Sequence, residues 1–223
     1  VSQQCSKDSQ LEDALKLYEV PLHHRHAFLS EEAALAQLHE NDLVIMVDHH
    51  VPAQSTGSKL IEAAGKIIVI DHHRRSEGFV DGPLITYLES GASSACELMT
   101  EMLSYQPNRV DISDEEATIM YLGIVVDTNR FKMRTGSRTF EAAAALKKLG
   151  ADPIVTETIL SERYEQFEEK TSISKYAKLY RGKFMIAAVK ENMYPSRTLM
   201  AQVADMLLTI RGVEASFVIA QTS

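Results

Sequence analysis

A chain of 223 residues, 45% hydrophobic and 24% charged, is long enough to bury a real core, as one large domain or two modest ones. Its formal charge of −8 argues against tight nonspecific binding to duplex nucleic acid, and leaves room for a small anion gripped by local positive charge or by metal. No run of eighteen apolar residues occurs, the first eleven residues lack the basic-then-apolar order of a signal peptide, and Cys5 and Cys96 give neither a disulfide framework nor a zinc spacing.

Such cysteine usage suits a reducing cytoplasm. The chain opens on Val1 rather than methionine, so a processed or excised piece is expected. From there the pattern alternates between two periodicities. Ser30 with Glu31 and Glu32 behind it predicts a capped helix running to Leu38. Residues 43–47 form an unbroken apolar run, the mark of a strand buried on both faces, and it ends at Asp48. Residues 58–64 predict a short helix closed by Gly65. Residues 66–70 repeat the strand signal and end at Asp71.

A strand–helix–strand unit of this kind implies a parallel sheet with a right-handed crossover. It puts both acids at carboxyl ends of strands, where open α/β sheets bind ligands. Residues 84–87 are a weaker strand candidate. Ser93 and Ser94 can cap a helix through Leu103, a longer helix runs from Asp114 to Asp127, and residues 138–149 are helical up to Gly150. The polar stretch 161–181 reads as a linking helix or hinge, followed by a strand–helix–strand over 184–189, 196–210 and 215–220. The expected architecture is α/β: a parallel-sheet domain over 1–158, a linker helix over 159–182, and the start of a second, smaller α/β domain over 183–223.

Two strands thus each deliver an aspartate and paired histidines, Asp48-His49-His50 and Asp71-His72-His73. Carboxylate and imidazole suit hard or borderline divalent ions such as Mn²⁺, Mg²⁺ or Fe²⁺. Metal-bound water is a nucleophile near neutral pH, and two ions can clamp both attacking and leaving oxygens. The competing reading is a solvated loop with idle histidines. Asp127 ends another apolar run, 123–126, and is either a third ligand or a helix-terminal cap. The segment 130–138 (RFKMRTGSR) is the most basic of an acidic chain. Arg130, Arg134 and Arg138 fit a phosphate clamp, since arginine forks take phosphate oxygens bidentately, or they belong to an ordinary solvated loop. Arg74 and Arg75 extend the clamp reading. Ser93 and Ser94 offer an anion site at a helix N-terminus or a plain cap. His23, His24, His26 and His39 lack strand context and read as surface residues.

Three stretches carry a resemblance to the DHH phosphoesterase superfamily, and within it to cyclic-di-AMP phosphodiesterases of the GdpP type: 69–77 (VIDHHRRSE), 91–98 (GASSACEL) and 123–140 (GIVVDTNRFKMRTGSRTF). The resemblance implies that Asp48, His72 and Asp127 ligate metal, that Asp71 holds or tunes the site, and that His73 faces the scissile phosphate. His50 would fill the last place of an Asp-x-His motif, with His49 incidental. It also implies manganese-supported hydrolysis of cyclic-di-AMP to linear 5′-pApA, by the cytoplasmic part of a membrane-anchored protein. The family's first motif, His-x-x-x-Asp-x-Asp, would precede Leu11, and a glycine- and histidine-rich motif would follow Ser223. As given, the chain is expected to hold about half of a two-metal site. The expected partner is a cyclic dinucleotide, with no duplex nucleic acid, no membrane contact by this chain, and a homodimer left open. The alternatives are a relative that cleaves short oligonucleotides, polyphosphate or pyrophosphate, and a non-catalytic nucleotide-binding module.

Overall fold

The computed structural model describes residues 14–108, 110–190 and 193–221; the opening segment, Cys5 included, lies outside them. The chain divides into two compact units, Val1–Leu160 and Ser161–Ser223.

In the first unit, α1 (Glu19–Arg25) precedes α2 (Glu31–Gln37), where the Ser30 hydroxyl accepts the Ala33 amide at 3.2 Å as predicted for a cap. Then come β1 (Val44–Val47), α3 (Ser58–Ala63), β2 (Ile67–Asp71) and β3 (Ile85–Leu88). The sheet order is β1-β2-β3 and both pairings are parallel. The register sets Val47 beside Ile70, and the Asp48 amide continues the ladder to the Ile70 carbonyl at 3.0 Å. Asp48 and Asp71 therefore emerge at the same end of neighbouring strands.

β2 is the central strand and is nearly continuous in burial, as a two-sided strand should be. β1 departs from the expectation of burial on both faces. Among the described strands it lies at the sheet edge, with Ile45 and Val47 exposed. One face of the sheet packs Met46, Ile67 and Val69 against Ile61 of α3 and Val80. On the other, Ile70 meets Ala92 and Leu98, the latter on α4 (Ala95–Ser104).

A helical layer continues from there. α5 (Asp114–Asp127) starts in a full capping box, Ser113 and Glu116 each satisfying the other's amide. Its Ala117 and Ile124 pack on Ala142 and Leu146 of α6 (Ser137–Lys148), and its Leu122 and Val125 pack on Ile159 of α7 (Pro153–Ile159). Gly123 allows α5 to lie close to α4, because a Cβ there would sit 2.5 Å from Cys96 Sγ. α5 ends on Asp127.

The second unit holds α8 (Tyr164–Ser174), β4 (Ala177–Tyr180), β5 (Phe184–Ala188), α9 (Arg197–Leu208) and β6 (Ala215–Ile219). β5 pairs antiparallel with β4 and parallel with β6. Of the segment 159–182, expected as a linker, residues 161–182 belong to this unit, while Ile159 and Leu160 lie in the core of the first. Ile173 of α8 is buried in one core with Ala187, Val203 and Leu207, so the charges on α8 are only its solvated face. No helix among the described residues is long and apolar enough to cross a membrane.

Candidate metal centre

At the end of β1 the backbone of Asp48 turns left-handed, φ +67°, a conformation aspartate tolerates better than most residues. Its carboxylate meets the ring of His72, Oδ1 to Nε2 3.2 Å. β2 runs straight through Asp71, and successive side chains of a strand point to opposite faces. Asp71 is fully buried on one side while His72 turns toward Asp48 on the other. Asp127 closes the group from the helical layer, with Oδ2 3.8 Å from the same His72 nitrogen. One ligand atom each from Asp48, His72 and His73 lie within 4.8 Å of one another.

The electrostatics of this cluster are those of a place short of positive charge. Burial and the neighbouring Asp48 push the Asp127 carboxyl above its ordinary range, against the pull of His72, His73 and Arg134. Asp127 is also the last residue of α5, where the helix dipole is negative and the last turn carries no basic residue. Asp48 raises the His72 ring above the usual imidazole range despite burial, with Asp127 and the Ala92 backbone adding to it. A divalent cation bound there would supply that positive charge.

Metal–ligand bonds of about 2.0–2.2 Å place neighbouring ligand atoms roughly 3–3.6 Å apart, so the spacing around His72 fits a hard cation after small adjustment. Cys96 is buried nearby, and burial, with Asp127 and Asp48 adding, pushes its thiol up to about 12.

Behind the cluster, Asp71 spends both oxygens inside the protein. Oδ2 takes His50 Nδ1 at 2.5 Å, and Oδ1 takes both the His73 ring Nδ1, at 2.7 Å, and the His73 amide, at 3.1 Å. Burial alone would raise its pKa; the two histidines outweigh that and lower it. The family resemblance implied that Asp71 holds or tunes the site and that His73 faces the scissile phosphate. The geometry makes Asp71 an anchor for His73, while the remaining nitrogen of His73 stays available on an exposed edge.

In front, a cleft of about 600 Å³ is lined by His72, His73, Arg74, Arg134, the backbone turn at Ser90, Gly91 and Ala92, and the Thr135-Gly136 step into α6. Of the five candidate arginines, Arg74 and Arg134 line it. The other three are engaged elsewhere. Arg75 stacks on Phe79, 4.2 Å from the ring centroid. Arg130 bonds Glu157 and the Leu160 carbonyl, both at 3.2 Å, and ties the loop after α5 to α7. Arg138 makes a bidentate pair with Glu101, 2.7 and 2.6 Å, joining α6 to α4.

Ser93 and Ser94 do not face the cleft either. Ser93 Oγ donates to Glu97 Oε2 at 2.5 Å, Ser94 Oγ accepts the Glu97 amide at 3.0 Å, and all three residues are buried. They are a helix cap, and the cleft is lined by the three residues just before them. Sequence reasoning missed this turn, and it gave His50 a motif position without a role.

The model of the DHH family, N-terminal domain, matches residues 6–124, more than half of the chain. The chain belongs to the DHH family. Among curated DHH-type relatives, it is 44% identical over 193 residues to "Cyclic-di-AMP phosphodiesterase GdpP" of Geobacillus thermodenitrificans, covering 86% of this chain and 29% of that one. It is 41% identical over 196 residues to the protein of the same name from Bacillus subtilis, covering 87% and 30%. The chain thus spans under a third of the length of these relatives. Among solved structures it superposes with a TM-score of 0.72 on an exopolyphosphatase-related protein from Bacteroides fragilis, at 20% identity, over 90% of this chain and 61% of that one. That last likeness is one of fold, and it agrees with a parallel α/β domain carrying a smaller α/β unit.

Proposed function

We propose that this chain is the core of a metal-dependent phosphodiesterase that hydrolyses cyclic-di-AMP to linear 5′-pApA, with Mn²⁺ as its ion. In the same reading it sits on the cytoplasmic side of a membrane-anchored protein. The observation that carries the reading is the convergence of Asp48 and Asp127 on His72, which lines a cleft that also presents Arg74 and Arg134. The chain that holds this arrangement is over 40% identical to two proteins named for that reaction.

Asp48, His72 and Asp127 are the residues that would hold the cation, with His73 within reach. Once bound, a divalent ion supplies Lewis acidity and neutralises charge on a phosphoryl group. The other tasks fall to the chain itself. Asp71 binds Nδ1 of His73, so the ring presents its other nitrogen outward to the cleft, where as the imidazolium it can donate to a phosphate oxygen. Arg74 and Arg134 supply guanidinium donors for the phosphate that the metal end does not reach.

The test is manganese-supported hydrolysis of cyclic-di-AMP by the complete protein, beside Asp127→Ala. Conversion to 5′-pApA by the wild type and none by the variant is the expected result. Cleavage of short linear oligonucleotides with cyclic-di-AMP left intact would refute the substrate assignment.

A further inference from the structure

One buried imidazole stands behind this site without lining the cleft. His50 is 4% exposed and uses both ring nitrogens. On one side Nδ1 lies 2.5 Å from Asp71 Oδ2. On the other, Nε2 receives the Ser76 amide at 3.1 Å and lies 2.9 Å from the Ser76 hydroxyl. A backbone N–H only donates, so Nε2 must be the acceptor nitrogen and the proton belongs on Nδ1, directed at Asp71. The ring is also held face-on, stacked on Phe79 with centroids 5.3 Å apart, and Phe79 is in turn covered by Arg75.

Each contact leads to a different end of the site. Through Asp71, His50 reaches the Nδ1 of His73. Through Ser76, it reaches the loop that carries Arg74 into the cleft. Outer partners of this kind fix the tautomer and aim of the residues in front of them, and their loss commonly costs 10- to 100-fold in function. We propose that His50 is a positioning residue that sets His73 and the Arg74 loop at once, one through each ring nitrogen. Its kinetic consequences rest on the reaction proposed above, whereas its effect on the His73 ring does not.

The two halves of the device are separable, because an asparagine amide can replace Nδ1 of a histidine and a glutamine amide can replace Nε2. His50→Asn keeps the bond to Asp71 and gives up Ser76; His50→Gln does the reverse. With the complete protein, manganese and cyclic-di-AMP, His50→Gln is expected to lower kcat at least tenfold with KM close to wild type. His50→Asn is expected to raise KM about tenfold with kcat close to wild type. Ser76→Ala, an exposed substitution that leaves the core untouched, should move KM in the same direction by a smaller factor.

A second readout needs neither metal nor substrate. In ¹⁵N spectra of histidine-labelled protein, the strongly hydrogen-bonded Nδ1–H of His73 should persist in His50→Asn and be lost or shifted in His50→Gln. Parallel changes of kcat and KM in both variants, tracking only a lower melting temperature, with the His73 signal the same in all, would overturn the proposal and leave His50 as core packing. The predicted change at His73, in a wild type that does not hydrolyse cyclic-di-AMP, would uphold the link to His73 and refute the reaction.

Discussion

The ends of β1 and β2 carry the same tripeptide, Asp-His-His, and use it in opposite senses. At β1 the aspartate faces the candidate metal cluster and the last histidine, His50, is buried behind it. At β2 the aspartate is buried behind and the middle histidine, His72, faces the cluster. The cause is one backbone angle. Asp71 continues its strand, so the ordinary alternation of side chains holds, while the left-handed turn at Asp48 breaks it. The two motifs then interlock, since His50 of the first hydrogen-bonds Asp71 of the second. Identical residues at neighbouring strand ends are therefore not interchangeable, and substitutions should show it.

The largest contrast is between the aspartates. Asp48→Asn removes a half-exposed carboxylate that repels Asp127, so stability should hold or rise slightly while turnover falls by more than the ~100-fold typical of losing an outer partner. Asp71→Ala strips the acceptor from two histidines and a buried network, which should cost about 2–4 kcal/mol in denaturant unfolding. If Asp48→Asn destabilised the protein more than Asp71→Ala, the assignment of the two strand ends would be reversed.

The same contrast recurs among the arginines, four residues apart in one basic segment. Arg134→Ala should raise KM roughly tenfold to a hundredfold, the equivalent of about 1.5–3 kcal/mol for a charge-assisted contact to phosphate. The melting temperature should barely change. Arg138→Ala should leave KM alone and lower stability by about 0.5–1 kcal/mol, as a half-exposed ion pair does.

That pair also gives a pH signature. Arg138 holds the Glu101 carboxyl below its usual range, so its contribution is complete above the ordinary glutamate pKa and fades as pH falls through the depressed one. Unfolding curves of wild type and Arg138→Ala should therefore converge in acid. Curves that stay parallel down to low pH would sever this link.

Much of this was legible in the sequence, and the failures have definite causes. The apolar runs located β1 and β2, although only β2 is buried on both faces, and the caps at Ser30 and Ser94 located α2 and α4, because capping chemistry leaves a local signature. Asp48, Asp71 and Asp127 were visible as acids that end apolar runs, and the family resemblance singled out Asp48, His72 and Asp127, which the fold brings together. The destinations of charged side chains were not visible. Arg130, Arg138 and the Ser93-Ser94 pair are taken by Glu157, Glu101 and Glu97, two of them acids 27 and 37 residues away, and local composition carries no trace of such pairings. Residues 161–182 misled in the same way, since Ile173, the buried residue of α8 in that core, is outnumbered by the charges around it. His50 was visible as a motif position, but its function depends on the register of β1 against β2 and on one positive φ.

The most direct test of the account is calorimetric titration of Mn²⁺ into the metal-free complete protein, beside Asp48→Asn, Asp127→Asn and Asp71→Asn. Manganese affinity should be lost or reduced far beyond 100-fold in the first two variants. In Asp71→Asn, which leaves the proposed ligands in place and disturbs only what anchors them, it should fall by about 10- to 100-fold. Unchanged manganese affinity in Asp48→Asn and Asp127→Asn would contradict a metal centre built on these strand and helix ends.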